Sequence, residues 1–547
     1  MFRLDGGEIM AVGLNLKEPY RQYQKVYNSD YFVDKSEILE EIVPLLNTEA
    51  CYVCVTRPRR FGKTLIAQLL AAYFTKNMAS SKIFDTLKVR NQPFYKEELN
   101  QHNVIYIDFS NMPRQCSEYE QYENYHQEKI IKAVARAYPD ILAEEQDAVW
   151  DVLDNVFEET GDQFIFIIDE WDALFQMPWC SEKNRECFIL FLSNLLKNKG
   201  YIEFVFMTGV LPIRKYSSGS ALNMFYEYSA AQTEKYGRYF GFTHEEVQML
   251  YTKYVNICQM KGIKPKVELK NLIFWYDGYQ TMEGKQIYNP RSIVRALNDN
   301  KIGNYWTETG PFNEVINCIQ NNIDAVREDI VRMVAGEAIE ADIQEYAANQ
   351  MKMTSRNEIL SAMVVYGFLS CKGNLVCIPN KELMEKFEQA LHYKEMGYVY
   401  RLAKESQRML TATLNGDTDT MEDILSTAHN TEIPVLRYND EGDLASLVNL
   451  IYLAARDHYD VRREENTGKG RADVLFYPHD LTKTGIIIEL KVDDTPENAI
   501  QQIKEKQYAQ RFFGGIADKR RYTGEILAVG MVYNSKTKEH HCKVEVL

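Results

Sequence analysis

The sequence predicts an α/β protein, with a parallel sheet carrying a phosphate-binding loop, then a helical stretch, then a smaller α/β domain towards the C-terminus. Three stretches predict it. In Cys51-Tyr-Val-Cys-Val-Thr-Arg-Pro-Arg-Arg-Phe-Gly-Lys-Thr-Leu-Ile-Ala-Gln-Leu-Leu70, a β-branched run ends at Thr56, a turn with Pro58 and Gly62 follows, and helical apolar spacing begins at Lys63. In Gln163-Phe-Ile-Phe-Ile-Ile-Asp-Glu-Trp-Asp172, five consecutive apolar residues meet acids at once. Near the C-terminus, Asp473-Val-Leu-Phe and Gly485-Ile-Ile-Ile-Glu-Leu-Lys491 are two apolar runs separated by a Pro/Asp/Thr/Gly turn.

The whole chain sets bounds. Its 547 residues imply roughly three or four domains. A hydrophobic fraction of 45% with 26% charged residues describes globular cores, and a net charge of −15 confines any nucleic-acid site to a local basic groove. The ten cysteines are scattered; Cys51 and Cys54, three apart on a strand, face opposite sides and have no second pair to complete a zinc site. They read as core thiols. The acidic start of the chain lacks signal-peptide character, and no apolar run approaches the ~18 residues of a membrane span, so a reduced cytoplasmic location and no membrane partner are expected.

Taken in order, residues 1–20 read as a loose leader, and Ser36 as the cap of a helix over 37–46. In the loop, backbone N–H groups of Arg59, Arg60, Phe61 and Gly62 and of the helix start cradle phosphates, Lys63 reaches the β/γ oxygens, and the Thr64 hydroxyl ligates Mg²⁺. The usual Walker A spacing has Gly where this chain has Arg57, so the loop must start in a conformation open to a side chain. Residues 103–110 read as a second strand and 119–138 as its crossover helix. The acidic strand is a Walker B pattern, in which Asp169 serves the Mg²⁺ shell and Glu170 orients or polarises the attacking water. A third strand, 201–209, ends in Thr208, either a γ-phosphate sensor or a plain strand-end threonine.

These motifs, together with Thr208-Gly-Val210, Trp275-Tyr-Asp-Gly-Tyr279 and Ile287-Tyr-Asn-Pro-Arg-Ser292, resemble the bacterial AAA-ATPase-like family over residues 20–300. Members often carry Tyr after Asp-Glu and Trp after Asn-Pro, where this chain has Trp171 and Arg291. Arg291 is either a charge near the nucleotide or a solvated helix-start arginine. Members commonly end in a PD-(D/E)XK nuclease-like domain. The resemblance implies an AAA-like core over 21–240, a helical lid over 241–300 and a helical, winged-helix-like region over 301–397. Within that region, 364–370 and 375–379 read as a short hairpin between helices. A small α/β restriction-endonuclease-like domain over 398–547 follows, with 416–420 as a turn or linker.

In that last domain Asp473 opens the first strand of the hairpin, while Glu489 and Lys491 share one face of the second. Two carboxylates so placed hold Mg²⁺, or Mn²⁺ as an alternative, and Lys491 positions the nucleophile or stabilises charge during phosphodiester hydrolysis. The upstream Gly468-Lys-Gly-Arg-Ala-Asp473 and Ile488-Glu-Leu-Lys491 match the nuclease branch fused to this ATPase family. A helix over 443–458 should pack on the sheet, with Glu441 or Asp443 as an extra acid. Gln502, Lys506 and Tyr508 on the following helix are auxiliary candidates, and Lys504, Arg511, Lys519, Arg520, Arg521, Lys536 and Lys538 give a local positive balance suited to phosphate.

The leading expectation is an ATP-binding, ATP-hydrolysing protein that controls a Mg²⁺-dependent nuclease acting on DNA or RNA, with nucleic acid at the C-terminal domain and self-association left open. Two alternatives stand beside it. In one, a nucleotide-dependent switch carries a nuclease fold that binds without cutting. In the other, the phosphate loop has decayed and only the nuclease works.

Overall fold

The computed structural model describes residues 12–113, 116–141, 144, 146–213, 221–229, 235–280, 284–306, 324–334, 336–343, 355–391, 397–430, 444–445, 447–448, 451–452, 455, 458–466, 471–513 and 522–547. The chain divides into two compact units, one within Met1–Cys318 and Glu340–Leu383, the other within Ile319–Ile339 and Met384–Leu547.

The first unit is built on a six-stranded sheet: β1 (Val12–Leu14), β2 (Tyr52–Thr56), β3 (Asn103–Asp108), β4 (Phe164–Asp169), β5 (Ile202–Gly209) and β6 (Tyr226–Ser229), in the order β1-β3-β4-β5-β2-β6. Only the β1–β3 pairing is antiparallel. The segment read as a loose leader therefore supplies an edge strand, because Val12 and Leu14 bury their side chains there. Every residue of β4 is buried, which explains why it reads as an unbroken apolar run and not as an alternating one. Neighbours β5 and β2 send the chain in opposite directions, β5 on to β6 and β2 back to β3. That reversal opens a crevice at the carboxyl ends of the strands.

Helix α1 (Lys63–Phe74) follows β2 and packs on β3, β4 and β5; α2 (Tyr119–Ala137) is the expected helix between β3 and β4. Residues 36–45 form short 3₁₀ and α turns in place of the expected regular helix, since Pro44 cannot donate to the ladder. Ser36 does not cap them. Its hydroxyl accepts the Val89 N–H at 3.2 Å, while Asp34 accepts the Ser36 N–H at 2.8 Å.

Helices α3 (His244–Met260), α4 (Leu269–Tyr276) and α5 (Pro290–Asn298) share a core of Val247, Leu250, Leu272, Tyr276, Ile293 and Leu297. Between them lies a small sheet that helical periodicity concealed, made of β7 (Phe242–Thr243), β8 (Tyr279–Gln280) and β9 (Gln286–Tyr288). The Asn-Pro-Arg-Ser stretch is a helix start: Asn289 accepts the N–H groups of Arg291 and Ser292, and Pro290 takes the first turn, where no N–H is needed. The winged-helix-like hairpin begins later than its sequence suggests. Residues 364–366 complete α6 (Arg356–Tyr366), which a Ser355–Glu358 capping box starts and left-handed Gly367 ends. After the short strand β10 (Ile339–Glu340), the hairpin itself is β11 (Ser370–Lys372) with β12 (Leu375–Cys377).

The second unit has a five-stranded sheet, β13 (Tyr459–Asn466), β14 (Arg471–Pro478), β15 (Gly485–Val492), β16 (Ile526–Tyr533) and β17 (His540–Val546), paired in chain order. Only β15 and β16 are parallel, and α9 (Pro496–Glu505) makes the crossover between them. Two helices, α7 (Gly397–Asn415) and α8 (Thr418–Asn430), meet at Gly416, whose φ of 68° makes 416–417 a tight turn. Described residues of the helix expected over 443–458, among them Leu444, Leu447, Val448, Ile451, Tyr452 and Ala455, are buried at helical spacing, and the Tyr452 ring sits 5.1 Å from that of Phe476 on β14.

Candidate nucleotide and metal sites

Gly62 caps α1 with φ 88°, a conformation open to glycine at no steric cost, and Arg60 adopts the left-handed region at φ 70°. Arg57 is not among the positive-φ residues, so the missing glycine costs the backbone nothing. Its guanidinium is buried: Nη1 donates to the Thr56 and Tyr228 carbonyls, both at 2.8 Å, and the group lies over the Phe240 ring. Arg57 thus braces β2 against β6. Lys63 is buried too, with Nζ 3.2 Å from the Pro58 carbonyl and 3.8 Å from Glu170, whereas Thr64 is exposed.

Asp169 ends β4 fully buried. Its Oδ1 accepts the Glu170 N–H at 3.1 Å, and Oδ2 has no hydrogen-bond partner among the described residues. Burial, then the Glu170 and Asp108 carboxylates, push its pKa up to about 8, against the pull of Thr64 and Lys63. A buried carboxyl oxygen with no partner, facing an exposed hydroxyl and short of positive charge, fits a divalent cation. Glu170 sits at φ 49° with a partly exposed side chain. Asp172 turns inward and accepts the Val210 and Leu211 N–H groups at 3.1 and 2.9 Å; burial, then Glu170, raise its pKa to about 6. Trp171 donates its indole N–H to the Leu211 carbonyl at 3.1 Å. Both pack on Gly209, where a Cβ would lie 2.4 Å from Asp172 Oδ1 and from Trp171 Cδ1.

Beside Lys63, Thr64, Asp169 and Glu170 lies a cavity of about 860 Å³, of the size that takes a small-molecule cofactor. Arg59, Arg60, Phe61, Gly62, Lys63 and Thr64 all border it, as do Asp169 and Glu170. Arg291 borders it as well. Burial, then Arg291 and Arg59, lower the pKa of Arg60, a crowding of cations that a bound anion relieves. Arg59 donates to Gln176, and its carbonyl accepts the Trp306 indole N–H at 3.1 Å. Thr208 stays away from the cavity, buried and donating to the Val55 carbonyl at 2.8 Å. The apolar wall comes from Tyr31, Phe32, Val33, Phe242 and Val294. Sequence reading missed Asp108, although a second apolar strand ending in an acid was visible at 103–108.

In the second unit β14 and β15 form the expected antiparallel hairpin, with Val474 opposite Ile488 and Leu475 opposite Ile487. One step further, the same register sets Asp473 opposite Glu489. Asp473 Oδ2 accepts the Leu490 N–H at 2.7 Å, and Glu489 is buried with Oε1 3.4 Å from Lys491 Nζ. Gln502, on α9, donates to the same Glu489 oxygen and, at 3.3 Å, to the Tyr508 hydroxyl. The Tyr508 pKa is raised, by burial first and then, against the Gln502 hydrogen bond, by Glu489 and Asp473. Gln502 and Tyr508 therefore join the acids; Lys506 is exposed at the end of α9, and Lys504 pairs with Glu545. The helix approaches this closely because β16 has Gly530 beside Glu489, where a Cβ would lie 2.5 Å from the Pro496 carbonyl. Two carboxylates and a lysine on one sheet face form a donor set that fits a hard divalent cation beside a phosphate. Glu441, Asp443, residues 468–470, Lys519, Arg520 and Arg521 lie outside the described residues.

Residues 20–218 match the family model of predicted AAA-ATPases, and residues 439–541 match that of the PD-(D/E)XK nuclease superfamily. A protein of Azotobacter chroococcum mcd 1, described as an uncharacterized protein in the vnfD 5' region, is 22% identical over 508 residues, 90% of this chain and 92% of the relative. Among solved structures, the Walker-type ATPase paby2304 of Pyrococcus abyssi matches 64% of this chain and 94% of its own at 14% identity, TM-score 0.35. The ORC2 protein of Aeropyrum pernix, in ADPNP–ADP complexes, matches 68% and 98% at 12% identity, TM-score 0.32. With TM-scores that low, neither likeness bears on function. No described helix is long and apolar enough to cross a membrane.

Proposed function

We propose, for a chain in which an AAA-ATPase-like domain precedes a PD-(D/E)XK nuclease superfamily domain, that it binds and hydrolyses ATP at the first site and cleaves phosphodiester bonds of nucleic acid at the second, under control of the nucleotide. What carries the reading is the convergence of Lys63, Thr64, Asp169 and Glu170, from two separate loops, on one cavity at the carboxyl ends of a parallel sheet.

In the first site the loop N–H groups and Lys63 bind the phosphates, Thr64 and Asp169 hold Mg²⁺, and Glu170 accepts the proton of the attacking water. In the second, Asp473 and Glu489 hold Mg²⁺ or Mn²⁺, Gln502 fixes the Glu489 carboxylate, and Lys491 positions the nucleophile. A cation bound at either place supplies positive charge to the phosphate oxygens and acidifies water. The testing experiment pairs ATP binding by wild type and Lys63→Ala with cleavage of single- and double-stranded DNA and RNA by wild type, Asp473→Ala and Glu489→Ala. ATP binding lost in Lys63→Ala and cutting lost in either acid variant are expected. Unchanged ATP affinity in a folded Lys63→Ala protein would falsify the nucleotide assignment, and wild type that cuts no substrate in any nucleotide state rejects the nuclease.

A further inference from the structure

The nucleotide cavity contains a third acid that the motifs do not predict. Asp108 ends β3 directly beside Asp169 in the parallel register, and paired residues of neighbouring strands project to the same face of a sheet. It borders the same cavity as Lys63, Thr64, Asp169 and Glu170. Its Oδ1 is fixed by the Ser110 N–H at 2.9 Å and by the Ser110 hydroxyl at 2.6 Å, while Oδ2 makes no hydrogen bond among the described residues.

Acids gathered at a strand end make no site by themselves. The independent observation here is Asp169 Oδ2, a carboxyl oxygen buried to 1% exposure, lacking a hydrogen-bond partner and belonging to a residue of the cavity wall. Two carboxylates side by side on one sheet face, one of them with a buried oxygen that has no hydrogen-bond partner among the described residues, repel each other until a cation joins them, and an exposed Thr64 hydroxyl borders the same cavity. Lys63, the lysine of the phosphate loop, donates to the Pro58 carbonyl at 3.2 Å and lies 3.8 Å from Glu170, so its charge is directed to those groups and not to the two aspartates.

We propose that Asp108 is a carboxylate of the divalent-cation site in the nucleotide cavity, acting with Asp169, and that Ser110 positions it. The inference rests on the nucleotide reading above and deepens it. Asp108 gives the cation's ligand shell an anchor on the strand next to β4, so the ion is gripped from two strands and from α1 through Thr64.

The test measures Mn²⁺ binding by electron paramagnetic resonance on the full chain, with Asp473→Ala and Glu489→Ala built in to silence the second site and a non-hydrolysable ATP analogue present. Asp108→Asn, which keeps size and the Ser110 bonds, should weaken Mn²⁺ about a hundredfold; Ser110→Ala, which keeps the charge and frees its position, about tenfold. In EDTA, Asp108→Asn should melt no lower than the parent, since it removes repulsion, whereas a purely structural aspartate would lower the melt. Should Asp108→Asn fail to fold, the proposal is overturned by that EDTA criterion. Mn²⁺ affinity equal to the parent's, in a protein whose nucleotide binding is intact, overturns this inference alone. A parent that takes up neither nucleotide nor Mn²⁺ overturns it together with the nucleotide reading.

Discussion

Glu170 and Gly209 are two single positions, one bordering the cavity and one packed behind it, whose substitution has different expected outcomes. Glu170 borders the cavity at φ 49°, and in the proposed role its carboxylate is the base, so Glu170→Gln keeps the side chain's shape while removing that group. ATP affinity should stay within a factor of a few, and turnover should fall by about 10²–10⁴, read from single-turnover kinetics. Gly209 has no left-handed requirement; its constraint is contact. A methyl group there meets Asp172 and Trp171 at 2.4 Å, so Gly209→Ala should cost about 1–3 kcal/mol of stability by overpacking, seen as a lower melting temperature.

Among the elements, the start of β3 carries a pH-sensitive clamp. His102 lies between Glu98, 2.8 Å from Nε2, and Glu203, 3.0 Å from Nδ1, bridging two segments far apart in sequence. Burial lowers its pKa, but the bonds and charges of Glu203 and Glu98 outweigh that and raise it above 6.5. Because the folded value is raised, the clamp is fully present below pH 6.5 and is lost as pH climbs through the folded value. Melting temperature should therefore fall over that window in wild type. Asp169 contributes in the same direction, so the diagnostic quantity is the difference: His102→Gln should remove part of the fall, and identical pH profiles for the two proteins would reject the clamp. In the second unit, Gly530→Ala should push α9 off the sheet, part Gln502 from Glu489, and weaken Mn²⁺ binding at that site together with stability, checked by metal titration and thermal melt.

For the molecule as a whole the prediction concerns control. A nucleotide shifts cleavage only through different affinities for a cutting and a non-cutting state, and a tenfold change in rate requires about 1.4 kcal/mol of such coupling. Cleavage by wild type and by Lys63→Ala is compared with ATP, with ADP and with neither, using Glu489→Ala as the inactive control. Rates that differ by tenfold or more between nucleotide states are expected in wild type alone. Equal rates in all three states reject control by this route, and a Lys63→Ala protein that always cuts identifies ATP as a restraint.

The sequence by itself determined β2, β3, β4 and β5, the β14–β15 hairpin, and, Asp108 apart, the phosphate-loop residues and acids that border the cavity and the acids on that hairpin. Unbroken apolar runs ending in Thr56, Asp169 and Gly209 are legible because a strand buried on both faces needs no polar alternation, and the Gly-Lys-Thr helix start and the Glu489/Lys491 spacing follow from local backbone geometry. Tertiary structure decided what depends on neighbours distant in sequence. Thr208 is drawn to the Val55 carbonyl because β5 lies against β2, and Arg57 becomes a brace because β6 offers it the Tyr228 carbonyl. Asp108 enters the cavity because its strand pairs in register with β4, and Gln502 reaches Glu489 because Gly530 lets α9 settle on the sheet. Periodicity records which face of an element is buried; strand order, register and close approach arise only when separate elements meet, and they select which side chains face the same cavity.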